Sequence, residues 1–167
     1  MDRRRLLAVN ALKTANIRRH KLEQAIEEFV GLRRLAVVGV SRNDRKFGNT
    51  IYKELKAKGY EVFGVNRSVE KIGEEKCYPD LTSLKGMVDG VIACISPDQV
   101  EPMVREVSSI GVHYLWLQQG AESKKAVELG EKLGINVVKG KCILMYAGPV
   151  NSIHKIHRLF NKVTGRL

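Results

Sequence analysis

The sequence predicts an α/β protein with a Rossmann-like, doubly wound parallel sheet, formed as a single domain with flanking N- and C-terminal helices. From residue 35 onward, short apolar runs alternate with helical segments, which is the pattern of βαβ units. The runs are continuously apolar, as expected for strands that helices cover on both faces. With 167 residues and a hydrophobic fraction of 44%, the chain is long enough to build one such core.

The first half of the predicted sheet consists of two strands and the helix that connects them. Residues 35–40 read Leu-Ala-Val-Val-Gly-Val and are predicted to form a buried strand. A helix is predicted over residues 49–58, and it ends at Gly59, because glycine readily adopts the left-handed conformation that closes a helix. Residues 61–65, Glu-Val-Phe-Gly-Val, form the second predicted strand.

The second half repeats this alternation, and its helix ends carry recognisable signals. Pro97 fits a first helical turn, Ser123 fits an N-cap, and Gly111 and Gly134 follow helix ends. The predicted elements are, in order, a strand over residues 88–95, a helix over 97–110, a strand over 112–117, a helix over 123–133 and a strand over 135–138.

The net charge of +11 lies outside the predicted sheet. Residues 1–34 carry a net charge of +5 and residues 139–167 carry +6, whereas residues 35–138 are neutral. We therefore divide the chain into a basic N-terminal helical segment (1–32), a Rossmann-like domain (33–147) and a basic C-terminal helix (148–167). The flanks could contact a polyanion such as nucleic acid, or they could be solvated helix faces.

Several features of the sequence bear on location and assembly. No apolar run reaches the roughly 18 residues of a membrane span, and the N-terminus lacks the features of a signal peptide. Three scattered cysteines without a C-x-x-C pair are typical of a cytoplasmic protein, which is our expectation here. A helix predicted over residues 15–30 could cover a sheet edge or form the surface of a homodimer.

The loop after the first strand is the strongest functional signal. A basic, hydroxyl-containing loop followed by a helix N-terminus offers unpaired N–H groups and a favourable dipole to an anion. The loop matches neither the G-x-G-x-x-G fingerprint nor a P-loop. We predict that it binds phosphate through the following residues: Gly39, Ser41, Arg45, Lys46, Phe47, Gly48 and Asn49.

The end of the second strand indicates which nucleotide would bind. Ligands of doubly wound sheets lie beyond the carboxyl ends of the strands, and an NAD site places Asp or Glu at this position. Here Asn66 and Arg67 stand there instead. Arg67 would suit a ribose phosphate, which leaves two candidates, NADP with its 2′-phosphate and coenzyme A with its 3′-phosphate.

An ordered set of motifs resembles the stand-alone CoA-binding domain proteins, whose Rossmann domain is similar to the N-terminal domain of succinyl-CoA ligase α-subunits and of ADP-forming acyl-CoA ligases. The resemblance covers about residues 33–145. Its motifs are Val38-Gly39-Val40-Ser41, Gly48-Asn49, the run from Gly59 to Asn66, Cys77-Tyr78-Pro79, Ser96-Pro97 and the run from Leu115 to Ala121.

This resemblance implies coenzyme A or an acyl-CoA as the ligand and assigns parts of the ligand to parts of the chain. The loop from Ser41 to Gly48 would hold the diphosphate, and Asn66 with the residues after it would meet the nucleotide part. Ile95, Ser96 and Pro97 would line the pocket, and Gln118, Gln119 and Gly120 would face the pantetheine arm. Gln99, in the polar segment that follows the third strand, is a further candidate from the strand ends alone. Two positions depart from the family pattern, which usually has Pro where this chain has Arg67 and Glu where it has Tyr146.

No catalytic residue and no metal ligand is predicted. The sequence shows no nucleophile–base arrangement, and the ligases that the chain resembles need further domains for catalysis, which favours a binding or regulatory protein. His154 and His157 lie three residues apart on a helix predicted over residues 152–163, but no carboxylate or thiol nearby completes a metal site. The alternatives are an NADP-dependent oxidoreductase and a nucleic-acid-binding module, the latter with few aromatic residues in its flanks for stacking.

Overall fold

A computed structural model of the chain describes residues 3–150, with side chains from Asn10 onward. From residue 34 onward strands alternate with helices, except between residues 61 and 93, where four strands follow one another without an α-helix. The regular elements are, in order, α1 (Arg3–Val30), β1 (Arg34–Val38), α2 (Phe47–Ala57), β2 (Glu61–Val65), β3 (Lys71–Ile72), β4 (Glu75–Tyr78), β5 (Gly90–Ala93), α3 (Pro97–Ser109), β6 (Tyr114–Gln118), α4 (Lys124–Lys132) and β7 (Asn136–Lys141), with short 3₁₀ helices at Thr82–Leu84 and Ile143–Met145.

The strands form one seven-stranded sheet in the order β3-β4-β2-β1-β5-β6-β7. Every pair of neighbours is parallel except β3 and β4, which form an antiparallel hairpin. Strand order runs one way from β1 through β2 and the other way from β5 onward. The sheet is therefore doubly wound, its switch point lies between β1 and β5, and the predicted Rossmann-like fold class is confirmed.

Two apolar layers cover the sheet, one on each face. On the first face, α1 and α2 pack against side chains such as Val37 and Ile92, and the ring of Phe29 meets that of Trp116 edge-on with centroids 5.3 Å apart. On the second face, α3 and α4 cover residues such as Val91 and Leu115. Continuous apolar strands thus do bury both faces, as their composition predicts.

The largest difference from the predicted elements is the hairpin of β3 and β4 at one edge of the sheet. The hairpin of β3 and β4 was not predicted, because its residues are mostly polar and only Ile72 and Cys77 are buried. The strand predicted over residues 88–95 is shortened to β5, and α1 begins at Arg3, well before the predicted residue 15. The helix predicted over residues 152–163 lies outside the described residues.

Within residues 3–150, no helix combines the length and the apolar composition that crossing a membrane requires.

Candidate functional site

The β1–α2 loop lies at the switch point, and two glycines set its path. Gly39 has a φ of +103°, and a Cβ added there would stand 2.3 Å from the carbonyl oxygen of Cys94. A Cβ at Gly48 would stand 2.4 Å from the carbonyl oxygen of Gly39. The first turn of α2 therefore sits directly against the loop, and the loop against the end of β5, with room for backbone only.

Asn49 holds this loop in shape from inside. Its side chain is completely buried at the start of α2. The amide oxygen accepts from the Ser41 N–H at 2.8 Å, and the amide nitrogen donates to the carbonyl oxygens of Ser41 at 2.7 Å and Asn43 at 3.1 Å. Because all three bonds go to loop backbone, Asn49 orders the loop and does not itself face an open ligand site.

Polar side chains in the loop extend this internal network. Asn43 N–H donates to the Ser41 hydroxyl oxygen at 3.2 Å, and the Asn43 side chain accepts from the Arg45 N–H at 3.0 Å. The Lys46 N–H donates to the Asn43 carbonyl oxygen at 3.0 Å. The loop therefore has a defined conformation of its own, with its backbone turned by side chains of the same segment.

Two contacts tie this loop to the loop after β2. Asn66 donates from its side-chain nitrogen to the Val40 carbonyl oxygen at 2.5 Å and accepts from the Ser68 N–H at 2.8 Å. Arg42 donates from Nε at 3.2 Å and Nη2 at 2.7 Å to the Ser68 carbonyl oxygen. The carboxyl ends of β1 and β2 thus form one connected rim.

The rim is electropositive on its exposed side. Arg45 and Lys46 are exposed, and Lys46 is the N-cap of α2, where no side chain caps the free N–H groups. Asp44 is engaged at 3.1 Å by Lys53. Arg67 is also exposed. Hydrogen bonds from Ser83 are the main reason that the pKa of Asp80 is lowered, and the charge of Arg67 contributes a little. An anion at this rim would meet the side chains of Arg45, Lys46 and Arg67 and a helix N-terminus.

The end of β5 supplies the other wall of the switch point. Ile95 is half-buried, and Ser96, Pro97 and Gln99 are exposed at the beginning of α3. Ser96 is the N-cap of α3 and makes no side-chain cap bond, while Pro97 occupies the first turn as predicted. Two helix N-termini, of α2 and α3, therefore begin at the same edge of the sheet.

Cys94 sits between these walls as a protonated thiol. Burial raises its pKa to about 12, with a smaller contribution from nearby Cys142. At neutral pH the thiol therefore remains uncharged, and it does not have the thiolate character of a reactive cysteine.

Gln118, the last residue of β6, is buried and structural, whereas the next residue, Gln119, is exposed. Gln118 is 3% exposed, and its side-chain oxygen accepts from the Ile143 N–H at 3.2 Å, which fixes the second 3₁₀ helix. Gln119 is exposed, and Gly120, with a φ of +93°, donates its N–H to Glu122 at 2.8 Å. Only Gln119 and Gly120 are thus presented at the surface of this strand end.

The structure brings the predicted site residues to one edge of the sheet, at the carboxyl ends of β1, β2, β5 and β6. It places the amides of Asn49 and Gln118 inside the scaffold. Sequence reasoning missed Arg42 and Asn43, which shape the rim, although Asn43 two residues after Ser41 is a signal for a local side-chain turn. No cluster of three or more His, Cys, Asp or Glu side chains suited to a metal occurs between residues 3 and 150.

A family model described as a CoA binding domain matches residues 33–147, which include the whole sheet and this edge. The chain belongs to the CoA-binding domain family. The match begins just before β1 and leaves out α1.

Curated relatives show the same domain alone and within larger enzymes. The uncharacterized protein YneT of Bacillus subtilis is 25% identical over 111 residues, with 66% of this chain and 82% of that protein covered. The ADP-forming acetate–CoA ligase I of Archaeoglobus fulgidus is 27% identical over 139 residues, covering 77% of this chain but 20% of the ligase. This chain thus spans only about a fifth of that ligase's length.

Solved structures agree with the fold. A conserved hypothetical protein from Pyrococcus furiosus is 36% identical, superimposes with a TM-score of 0.65, and covers 68% of this chain and 97% of its own. A hypothetical protein from Pyrococcus horikoshii has a TM-score of 0.69 at 23% identity, covering 74% of this chain and 87% of its own, and shows the shared fold alone.

Proposed function

We propose that this protein binds coenzyme A or an acyl-CoA across the switch point between β1 and β5. The observation that carries the proposal is the position of the β1–α2 loop. It lies at the edge where doubly wound sheets hold nucleotides, within a chain of the CoA-binding domain family. The backbone contacts of Gly39 and Gly48 bring the loop and the α2 N-terminus together, so that a diphosphate can approach N–H groups of both.

The nucleotide part would lie toward β2. Asn66 and Arg42 join the two loops there, and Arg67 and Lys46 are exposed beside them. The 3′-phosphate of coenzyme A carries charge that these cations would neutralise, whereas the adenosine ribose of NAD has no 2′- or 3′-phosphate to meet them. The exposed cations therefore favour coenzyme A over NAD. NADP also carries a ribose phosphate, so a binding measurement must separate NADP from coenzyme A.

The pantetheine arm would run toward β5 and β6. Ser96 and Pro97 line one side of this course, and Gln119 with Gly120 lies at the end of the next strand. An acyl group on the thiol would extend beyond Gly120, where a Cβ would meet no atom within 4 Å.

The proposed role of the protein is to bind its ligand for regulation, and not to catalyse a reaction. Cys94, the thiol nearest the switch point, is protonated at neutral pH, because burial raises its pKa to about 12. The side chains that converge on the loop, Asn49 and Asn43, are amides occupied by backbone groups, and amides neither attack nor transfer protons at neutral pH.

Calorimetric titration and thermal unfolding of the full chain with coenzyme A, an acetylated coenzyme A, NADP and NAD test the proposal. We expect saturable binding of both CoA species and a rise in melting temperature that follows their affinity, because a ligand of the folded state stabilises it by mass action. Binding of NADP with no response to either CoA species would overturn the assignment in favour of a dinucleotide site.

A further inference from the structure

A groove of the described residues runs along the outer edge of β7. It has a volume of about 1210 Å³, with α1 as one wall, α4 as the other and β7 between them. Within residues 3–150, β7 is the last strand of the sheet, and one side of its backbone pairs with no strand of that part of the chain. We name this region the β7 groove and define it by Lys21, Glu28, Lys124, Glu131 and Val137.

The two walls carry the same charge pattern. On α1, Lys21 precedes Glu28 by seven residues, and on α4, Lys124 precedes Glu131 by seven residues. Seven residues are close to two helical turns, so each pair lies on one face with its charges about 10 Å apart. In both helices the basic member is nearer the helix N-terminus.

This pattern is self-complementary under a two-fold rotation. A two-fold axis normal to the sheet and beside β7 would set α1 antiparallel to its copy, and α4 likewise, with both β7 strands antiparallel between them. Lys21 would then face the second copy's Glu28, and Lys124 would face the second copy's Glu131. Within residues 3–150, Lys21 and Glu131 form no ion pair, whereas Lys124 lies 3.9 Å from Glu128 and Glu28 accepts a hydrogen bond from Gln24 at 2.9 Å. Dimerisation would replace these two exposed contacts of Lys124 and Glu28.

Apolar side chains between the charges would supply the association energy. Leu22 and Ala25 lie between Lys21 and Glu28 and are half-buried, as is Val137 on β7, whereas Val127, between the charges of α4, is already buried in the core. Exposed ion pairs contribute little by themselves, so in this arrangement they fix orientation while the apolar strip is removed from water.

The edge strand also limits how the copies would pair. Lys139 is exposed and Gly140 has a φ of +66°, and a register irregularity lies between the partners of Trp116 and Gln118. Such features interrupt a ladder, so regular pairing is confined to the segment before them, centred on Val137.

We propose that the β7 groove is the interface through which two copies of this chain form an isologous dimer. The charge complementarity of each helix with its own copy favours a second copy over a heterologous strand or helix. The proposal concerns the edge of β7 and is independent of the ligand site at the carboxyl ends of the strands.

Light scattering with size-exclusion chromatography of the full chain tests this directly. The unmodified chain is expected to show a concentration-dependent dimer in the micromolar range. Lys21→Glu with Lys124→Glu places like charges opposite each other and should weaken dimerisation about tenfold or more. Adding Glu28→Lys and Glu131→Lys to that variant restores every pair with reversed sign and should restore the dimer.

A matched control changes the same charges outside the groove. Lys13→Glu with Lys125→Glu alters exposed lysines of the same two helices that do not line it, and the dimer should persist. A monomer at all concentrations, or a dimer that the groove reversal leaves intact, would overturn the proposal and assign the groove to a different partner. Circular dichroism confirms that each variant is folded.

Discussion

The Asn49 side chain binds both the N–H and the carbonyl oxygen of Ser41, at 2.8 and 2.7 Å. This buried amide thus makes the two backbone hydrogen bonds that a neighbouring strand would make, at a point where β1 has already ended. A helix-borne side chain on α2 therefore determines the path of the loop that we assign to the diphosphate, and stability and ligand affinity should depend on it together.

Asn49→Ala is expected to lower both. It removes three hydrogen bonds and leaves the Ser41 N–H inside the loop without its partner, which should cost about 2–3 kcal/mol in the free energy of unfolding. Coenzyme A affinity should fall as well, because the loop loses its fixed conformation. Urea denaturation and calorimetric titration measure the two effects. Thr50→Ala, an exposed neighbour on α2, is the matched control and should change neither.

Much of the fold is predictable from the sequence because burial on both faces produces continuous apolar strands. Residues 61–65 were predicted with the bounds that β2 has. The hairpin of β3 and β4 escaped prediction, since its pairing depends on lying beside β2 and not on its own composition. Tertiary context of this kind overrides local preference.

The sequence predicts where the site lies, but not which of its residues face the ligand and which bind the backbone of the loop. Loop composition indicates an anion site after β1. Whether Asn49 points outward to a ligand or inward to the backbone depends on the close approach of Gly48 to Gly39, a contact that spacing alone does not reveal.

Gly39→Ala tests the close approach at the switch point. The new Cβ would stand 2.3 Å from a carbonyl oxygen and force an L-residue to a φ of +103°. We expect a loss of about 3 kcal/mol or more in unfolding free energy and loss of coenzyme A binding. Gly73→Ala, with a φ of +60° and no atom within 4 Å, carries the conformational cost alone, about 1 kcal/mol. Equal losses in the two variants would contradict the steric argument.

Lys46→Ala tests the charge at the rim. Losing one charge-assisted contact to phosphate should weaken coenzyme A binding about tenfold. A smaller effect on dephospho-CoA assigns Lys46 to the 3′-phosphate, and an equal effect assigns it to the diphosphate. Lys85→Ala removes the same charge near Gly86, whose carbonyl oxygen binds Arg34 at the opposite, amino-terminal edge of β1, and should leave affinity unchanged. Unaltered binding in Lys46→Ala would remove this residue from the site.

Asp89 and Arg34 predict how stability depends on pH at that amino-terminal edge. Arg34 donates from Nη2 to the Asp89 carboxylate at 2.6 Å, and this hydrogen bond holds the pKa of Asp89 below its usual range. A carboxyl group whose pKa is depressed by folding contributes stability above its unfolded pKa, and that contribution disappears as the pH falls through its folded pKa. Asp89→Asn should therefore lower unfolding free energy by about 1 kcal/mol at neutral pH, since the pair is partly exposed. The difference between Asp89→Asn and the unmodified chain should shrink steadily as the pH is lowered below about 4. Urea denaturation across that range measures it, and a difference that stays constant down to the folded pKa and below would show that Arg34 stabilises the fold independently of the charge on Asp89.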